Sequence, residues 1–107
     1  MKILNRKIRR NIDIIANILE IAKDGAKKTR IMQLAYLSFY QLSKYIKLLK
    51  DNGLLEYNPN EKNYRTTSKG IELLKNLYEL KEIEEKFKEK LKIIEGMIKL
   101  WNLKYFY

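Results

Sequence analysis

Residues 29–52 read TRIMQLAYLSFYQLSKYIKLLKDN, a run that divides into two helices with a tight corner between them. The second is the better defined. Ser38 is a good N-cap, because its hydroxyl can accept from the unpaired amides of the first helical turn. Gly53, directly after Asn52, is a natural left-handed stop. Between these ends Phe39, Leu42, Tyr45, Ile46 and Leu49 recur with a period of about 3.6 residues and predict the buried face. Tyr40, Lys44 and Lys47 fall on the far side, flanked by Gln41 and Ser43. Long cations mixed with hydrogen-bonding tips suit the major groove of DNA. A solvated lysine face is the alternative, and the rest of the chain weighs against it.

Upstream, Thr29 or a neighbour opens the first helix of the pair, with Ile31, Leu34 and Ala35 facing inward. Tyr36-Leu37 makes the corner, and Leu37 plugs the core. Residues 26–28 form a basic connector. Before them, residues 6–24 predict another helix. Its stripe of Ile8, Ile12, Ile15, Leu19 and Ala22 is widened by Ile14, Ile18 and Ile21. A surface helix needs an apolar band of only about 100°, so the excess implies a second contact, with another segment or another chain. Gly25 ends this helix. Arg6, Lys7, Arg9 and Arg10 at its start read either as a phosphate-touching arm or as a solvated tail.

Downstream of Gly53 the apolar period changes from helical to alternating. Residues 54–57 and 63–66 read as short strands, and Asn58-Pro59-Asn60 supplies the turn between them. Two strands alone are marginal, so the hairpin must lean on the helices. Three helices followed by a hairpin is the order of a winged helix-turn-helix, with Lys62 and Arg65 on the wing.

From about residue 67 to 102 there is no proline. Leu73, Leu77, Leu80, Glu84, Phe87, Leu91, Ile94, Ile98 and Trp101 recur at alternating steps of four and three, a heptad seam with one polar member. A helix of that length extends about 50 Å. It predicts pairing with a second copy, the alternative being a fold back onto its own domain.

The chain has 107 residues, 34% charged and 46% hydrophobic, a globular balance, but its net charge is +10. That surplus implies a polyanionic partner, nucleic acid or an acidic membrane surface. It is also unevenly placed. Residues 1–68 carry 14 Lys+Arg against 6 Asp+Glu, and residues 69–107 carry 9 against 7. A nucleic-acid head needs excess positive charge and a coiled coil needs balanced flanks, so two parts are expected: a DNA-binding domain over 1–68 and a dimerisation helix over 69–107. With neither cysteine nor histidine, disulfides, the usual zinc sets and imidazole catalysis are excluded. No cofactor, metal or small-molecule ligand is expected, and no enzyme. Asn11, Asp13, Asn17 and Glu20 interrupt any signal-like core near the start. No run approaches the roughly 18 apolar residues of a membrane span. The expected location is the cytoplasm, with the nucleoid.

Lys28-Thr29-Arg30-Ile31-Met32, Leu37-Ser38-Phe39 with Leu42 and Tyr45, Asn52-Gly53-Leu54, and Tyr64 with Thr67 and Lys69-Gly70 together carry a resemblance. The chain resembles the archaeal winged-helix DNA-binding proteins grouped with the Sulfolobus "10a" nucleoid proteins, over almost its whole length. The resemblance implies a homodimer joined through an antiparallel coiled coil, with a DNA-binding head at each end, acting in chromatin organisation or transcription regulation. Two residues depart from the pattern. Tyr36 stands where asparagine is usual at the corner, which unsettles any shared base preference. Thr66 stands where an aliphatic residue usually closes the wing, which predicts looser packing there.

On this reading the helix from Ser38 enters the major groove with its N-terminal half first. Gln41 is a candidate for adenine, Lys44 for guanine, and Tyr40 for a thymine methyl or a phosphate. Lys28, Arg30, Lys62 and Arg65 are placed for phosphates, and Ser38, Ser43 and Lys47 complete the DNA-binding set. None of the five arginines lies on this helix, which points to low or moderate sequence specificity. In an antiparallel coil centred near Phe87, Leu77 faces Ile98, Leu73 faces Trp101, and Glu84 nears Lys88 and Lys90 of the other copy. The rival functions are a winged-helix protein–protein adaptor and an RNA-binding module that stacks bases on its tyrosines.

Overall fold

The computed structural model describes residues 10–98. Its elements run α1 (Asn11–Ile21), α2 (Lys28–Ala35), α3 (Phe39–Asp51), β1 (Leu55–Asn58), β2 (Asn63–Thr66) and α4 (Ser68–Met97). The strands pair antiparallel, Leu55 opposite Thr66 and Asn58 opposite Asn63. The element order and class are those expected from the sequence. Among the described residues, no helix is long and apolar enough to cross a membrane.

α1 is shorter than periodicity predicts. Arg10 keeps an extended backbone, with φ −80° and ψ 157°. Its amide and its guanidinium donate to the Asp13 carboxylate, at 3.2 and 3.1 Å, which holds the chain outside the helix. At the other end the helix closes before Gly25, because the Ala22 carbonyl accepts from the Gly25 and Thr66 amides, both at 3.0 Å. Ile8 and the stretch from Arg6 to Arg9 lie outside the described residues. α2 starts at Lys28, one residue before Thr29, with Lys27 as its extended cap.

Both ends of the corner are legible in hydrogen bonds. Tyr36 sits in the left-handed region, φ 55° and ψ 50°. Its amide donates to Gln33 and the Leu37 amide to Met32, the paired bonds of a Schellman stop. Gly53, at φ +68°, closes α3 in the same way, through Gly53 to Lys50 and Leu54 to Leu49. Leu54 is thereby taken up in the stop, which moves β1 one residue later than the alternation predicts.

Ile18, Leu19, Ile31, Leu42 and Leu49 are fully buried at the centre, with Ala22, Ala35, Leu37, Ile46, Leu55 and Leu74 closing around them. Each such aliphatic side chain stabilises the fold by about 1.5–3 kcal/mol. The Tyr45 hydroxyl donates to the Asn11 side chain at 2.6 Å, tying α3 to α1. Two residues assigned inward are not buried: Leu34 is 46% and Phe39 63% exposed. Phe39 is met at its edge of the helix by the Lys28 side chain of α2.

The hairpin leans on the helices through contacts that pattern alone does not show. Ala26 forms an isolated antiparallel bridge to Tyr64, each amide donating to the other's carbonyl, so the basic connector is pinned beside β2 at one residue. Thr66 does not loosen the wing. It is 6% exposed, and its hydroxyl donates to the Leu19 carbonyl at 2.7 Å. Tyr57 and Tyr64 pair across the strands with ring centroids 5.0 Å apart.

α4 opens on Thr67, whose hydroxyl accepts from the Gly70 amide at 3.0 Å and donates to the Gly53 carbonyl at 2.6 Å. Lys69 donates to the Asn52 carbonyl at 2.8 Å. The Asn-Gly-Leu stop of α3 and the Thr-x-Lys-Gly start of α4 are thus one interlocked joint. The compact head runs to Leu77, with Leu74 buried and Leu73 packed against the core. Leu73, placed in the seam by its spacing, therefore serves the head.

The second unit, within the described residues, is the rest of α4 from Tyr78. Leu80, Ile83, Phe87, Ile94 and Ile98 are exposed large apolar residues along it, between 39% and 63%. Trp101 and the apolar stretch from Leu103 to Tyr107 lie outside the described residues.

Candidate nucleic-acid interface

The outward face of α3 is set by the residues that its inward face buries. With Leu42, Ile46 and Leu49 turned to the core, a rotation of about 100° per residue puts Tyr40, Lys44 and Lys47 opposite them. Tyr40 is 67% exposed, and the Lys44 ammonium lies 4.5 Å from the centre of its ring. Lys47 is paired with Asp51 at 3.0 Å, one turn on, with both side chains well exposed. Such surface pairs contribute at most about 1 kcal/mol, so Lys47 can exchange its carboxylate for a phosphate cheaply.

The remaining sequence-nominated residues of α3 are engaged within the protein. The Ser38 hydroxyl accepts from the Gln41 amide at 3.1 Å, and the Gln41 side-chain oxygen accepts from the Ser38 amide at 3.0 Å. This is a reciprocal capping box. It occupies the oxygen that Gln41 needs for a bidentate adenine contact. The Ser43 hydroxyl donates to the Phe39 carbonyl and accepts from Lys28, both at 2.9 Å. Lys28 also lies over the Phe39 ring, 4.0 Å from its centre, so it is a tie between α2 and α3 and is only partly exposed.

Arg30 is exposed on the first turn of α2. On the wing, Asn58 accepts from the Asn60 and Glu61 amides, and Lys62 takes a positive φ of 54° at the end of the turn. Arg65 stands opposite Glu56 in the ladder, exposed, its guanidinium over Gly25. Burial, then the neighbouring Tyr57, raises the pKa of the Tyr64 hydroxyl above its ordinary value.

Two exposed aromatics escaped the sequence reading of this surface. Tyr36, at 87% exposed, was assigned only to the corner, and Phe39 only to the core. The available signal for Phe39 was its place directly after the cap, where no preceding turn of its own helix covers it. The whole segment is electrostatically one-sided: residues 25–50 hold six Lys+Arg and no Asp or Glu.

Three packed helices, a paired wing and an outward cationic helix define a winged helix-turn-helix domain. The family model described as winged helix-turn-helix matches residues 8–85, and the chain belongs to that family. It is 41% identical over 81 residues to the uncharacterised protein MJ0287 of Methanocaldococcus jannaschii, covering 74% of this chain and 81% of that one. Its fold is similar to that of Sso10a-2, described as a DNA-binding protein from Sulfolobus solfataricus. That likeness has a TM-score of 0.75 and 22% identity over 88% of this chain and 99% of the other.

Proposed function

We propose that the protein binds double-stranded DNA as a homodimer, with low or moderate sequence specificity, in archaeal chromatin organisation or transcription regulation. The observation that carries this is the acid-free run over residues 25–50, folded into the two helices of a helix-turn-helix. A surface of one sign draws polyphosphate and releases its counterions. Membership of the winged helix-turn-helix family and the likeness to Sso10a-2, a DNA-binding protein, support the same reading.

In this reading Arg30, Lys47, Lys62 and Arg65 contact phosphates, and Lys44 with Tyr40 faces the bases. The part of α4 beyond the head, from Tyr78, serves as the dimerisation helix. The exposed stripe of Leu80, Phe87, Ile94 and Ile98 at heptad spacing supports pairing of α4 with a second copy. An antiparallel pairing centred near Phe87 sets Leu77 towards Ile98 of the other copy and presents two heads to DNA. The expected site is the nucleoid.

The test is a titration of duplex DNA across salt and across sequences. With about four phosphates per head, log K falls with log salt at a slope of about −4 per engaged head. Weak discrimination between unrelated duplexes is expected. Negligible affinity at about 0.1 M salt, where several phosphate contacts still count, would favour the protein–protein adaptor.

A further inference from the structure

We propose that Phe39 and Tyr40 form an apolar tip that reads thymine methyl groups, giving the head a preference for A·T pairs in the major groove. This rests on the DNA-binding reading above and goes beyond it by naming what the head discriminates.

The inference comes from what the first turns of α3 have left to offer. Helix-turn-helix readers meet base edges with the N-terminal residues of the second helix. Here the polar groups at that end are spent internally. Ser38 and Gln41 cap the helix through each other. Ser43 is held between the Phe39 carbonyl and Lys28, and Lys28 is lodged on the Phe39 ring. Turning Gln41 to a base breaks its side-chain bond to the Ser38 amide and leaves that donor unpaired.

What faces outward at this end is aromatic. Phe39 is 63% and Tyr40 67% exposed, and each ring carries a lysine ammonium within 4.5 Å of its centre. Each ring is packed beneath its lysine ammonium, which restrains where it can lie. Among the four bases only thymine offers an apolar group, its C5 methyl, on the major-groove edge. Rings fixed at this tip therefore gain by burying that methyl. Other bases leave them against polar edges. The absence of Asp and Glu over residues 25–50 leaves the approach of phosphates flanking such a contact unopposed.

The experiment compares one A·T-rich duplex made with thymidine and the same duplex made with deoxyuridine, which keeps the hydrogen-bonding edge and lacks the methyl. The full chain is expected to bind the deoxyuridine duplex about four-fold more weakly per methyl contacted, with an unchanged salt slope. Replacing cytosine by 5-methylcytosine in a G·C-rich duplex should strengthen binding. Phe39→Ala and Tyr40→Ala should each erase part of both effects while keeping the wild-type salt slope. Both side chains are exposed, and a thermal melt of each variant checks that the fold is retained.

Equal affinity for the thymidine and deoxyuridine duplexes overturns this inference while leaving DNA binding intact. Failure to bind any duplex overturns the DNA-binding reading itself. Tighter binding of single strands than of duplex would also overturn the inference, since it assigns the rings to stacking on unpaired bases.

Discussion

A side chain at Gly70 would collide with the carbonyl oxygen of Leu54: an added Cβ overlaps that oxygen and comes within 2.6 Å of the Thr66 methyl carbon. The start of α4 thus approaches the end of α3 as closely as backbone allows, and only a bare Cα permits it. Gly70→Ala should destabilise the protein by about 1–3 kcal/mol through overpacking. This is the reverse of the roughly 1 kcal/mol gained by alanine in an open helix. A urea melt decides it, and an unchanged midpoint would mean that Leu54 yields freely.

Thr66, at the foot of the wing, holds α1 by a buried hydrogen bond to the Leu19 carbonyl. Thr66→Val preserves the branched shape and removes the donor, leaving the carbonyl with one partner fewer. A loss of about 1–2 kcal/mol is expected. Equal stability of the two proteins would show that water or the helix replaces the bond at no cost.

Tyr36 carries a left-handed backbone in a Schellman stop where glycine or asparagine is at ease. Its ring is almost entirely exposed, so no packing compensates the strain. Tyr36→Asn should raise stability by about 0.5–1 kcal/mol. Thermal melting tests this, and a lower melting temperature would reveal a stabilising contact made by the ring.

The Tyr64 hydroxyl has a raised pKa, chiefly from burial. The folded chain therefore holds this proton more tightly than the unfolded chain. Its contribution is fully present below about pH 10, the unfolded tyrosine value, and is lost as pH rises through the higher folded value. The melting temperature should fall in that alkaline window, and Tyr64→Phe should fall less steeply. Parallel curves would assign the loss to other groups.

On the proposed dimer, Phe87 lies at the two-fold of the seam. Phe87→Asp should halve the mass seen by light scattering and weaken DNA binding by removing the second head, since linked sites bind with an avidity single heads lack. A variant of unaltered mass would remove the seam from the account. Because Phe87 is exposed, the head is expected to melt as before.

Much of this molecule was legible before folding. The Ser38 cap, the Gly53 stop, the Asn58-Pro59-Asn60 turn and the start of α4 at Thr67 are local features, decided by hydrogen bonds spanning a few residues. Periodicity found Leu42, Ile46 and Leu49 for the same reason. It misplaced Leu34 and Phe39, which stay exposed at inward angular positions, Phe39 beside Lys28; the heptad spacing of Leu73 is shared by the seam and by the face that packs on the head. The candidate site was half legible. Its cations were found by charge, and the Ser38-x-x-Gln41 spacing is that of a capping box, but the bond from Lys28 to Ser43, fifteen residues on, is one that no spacing reveals.

Element order, the Ser38 and Gly53 ends of α3, the placement of positive charge and the exclusion of thiol and imidazole chemistry were determined by the sequence alone, since each depends on residue type and near neighbours. The tertiary structure decided which side chains remain available to a partner. It brought Ala26 to Tyr64, Thr66 to Leu19 and Leu54 to Gly70, closing the head around its core. It also set Lys28 on Ser43 and on the Phe39 ring while leaving Phe39 and Tyr40 exposed. The physical reason is that availability depends on what a chain segment meets in space, and those meetings join residues as far apart as Leu19 and Thr66.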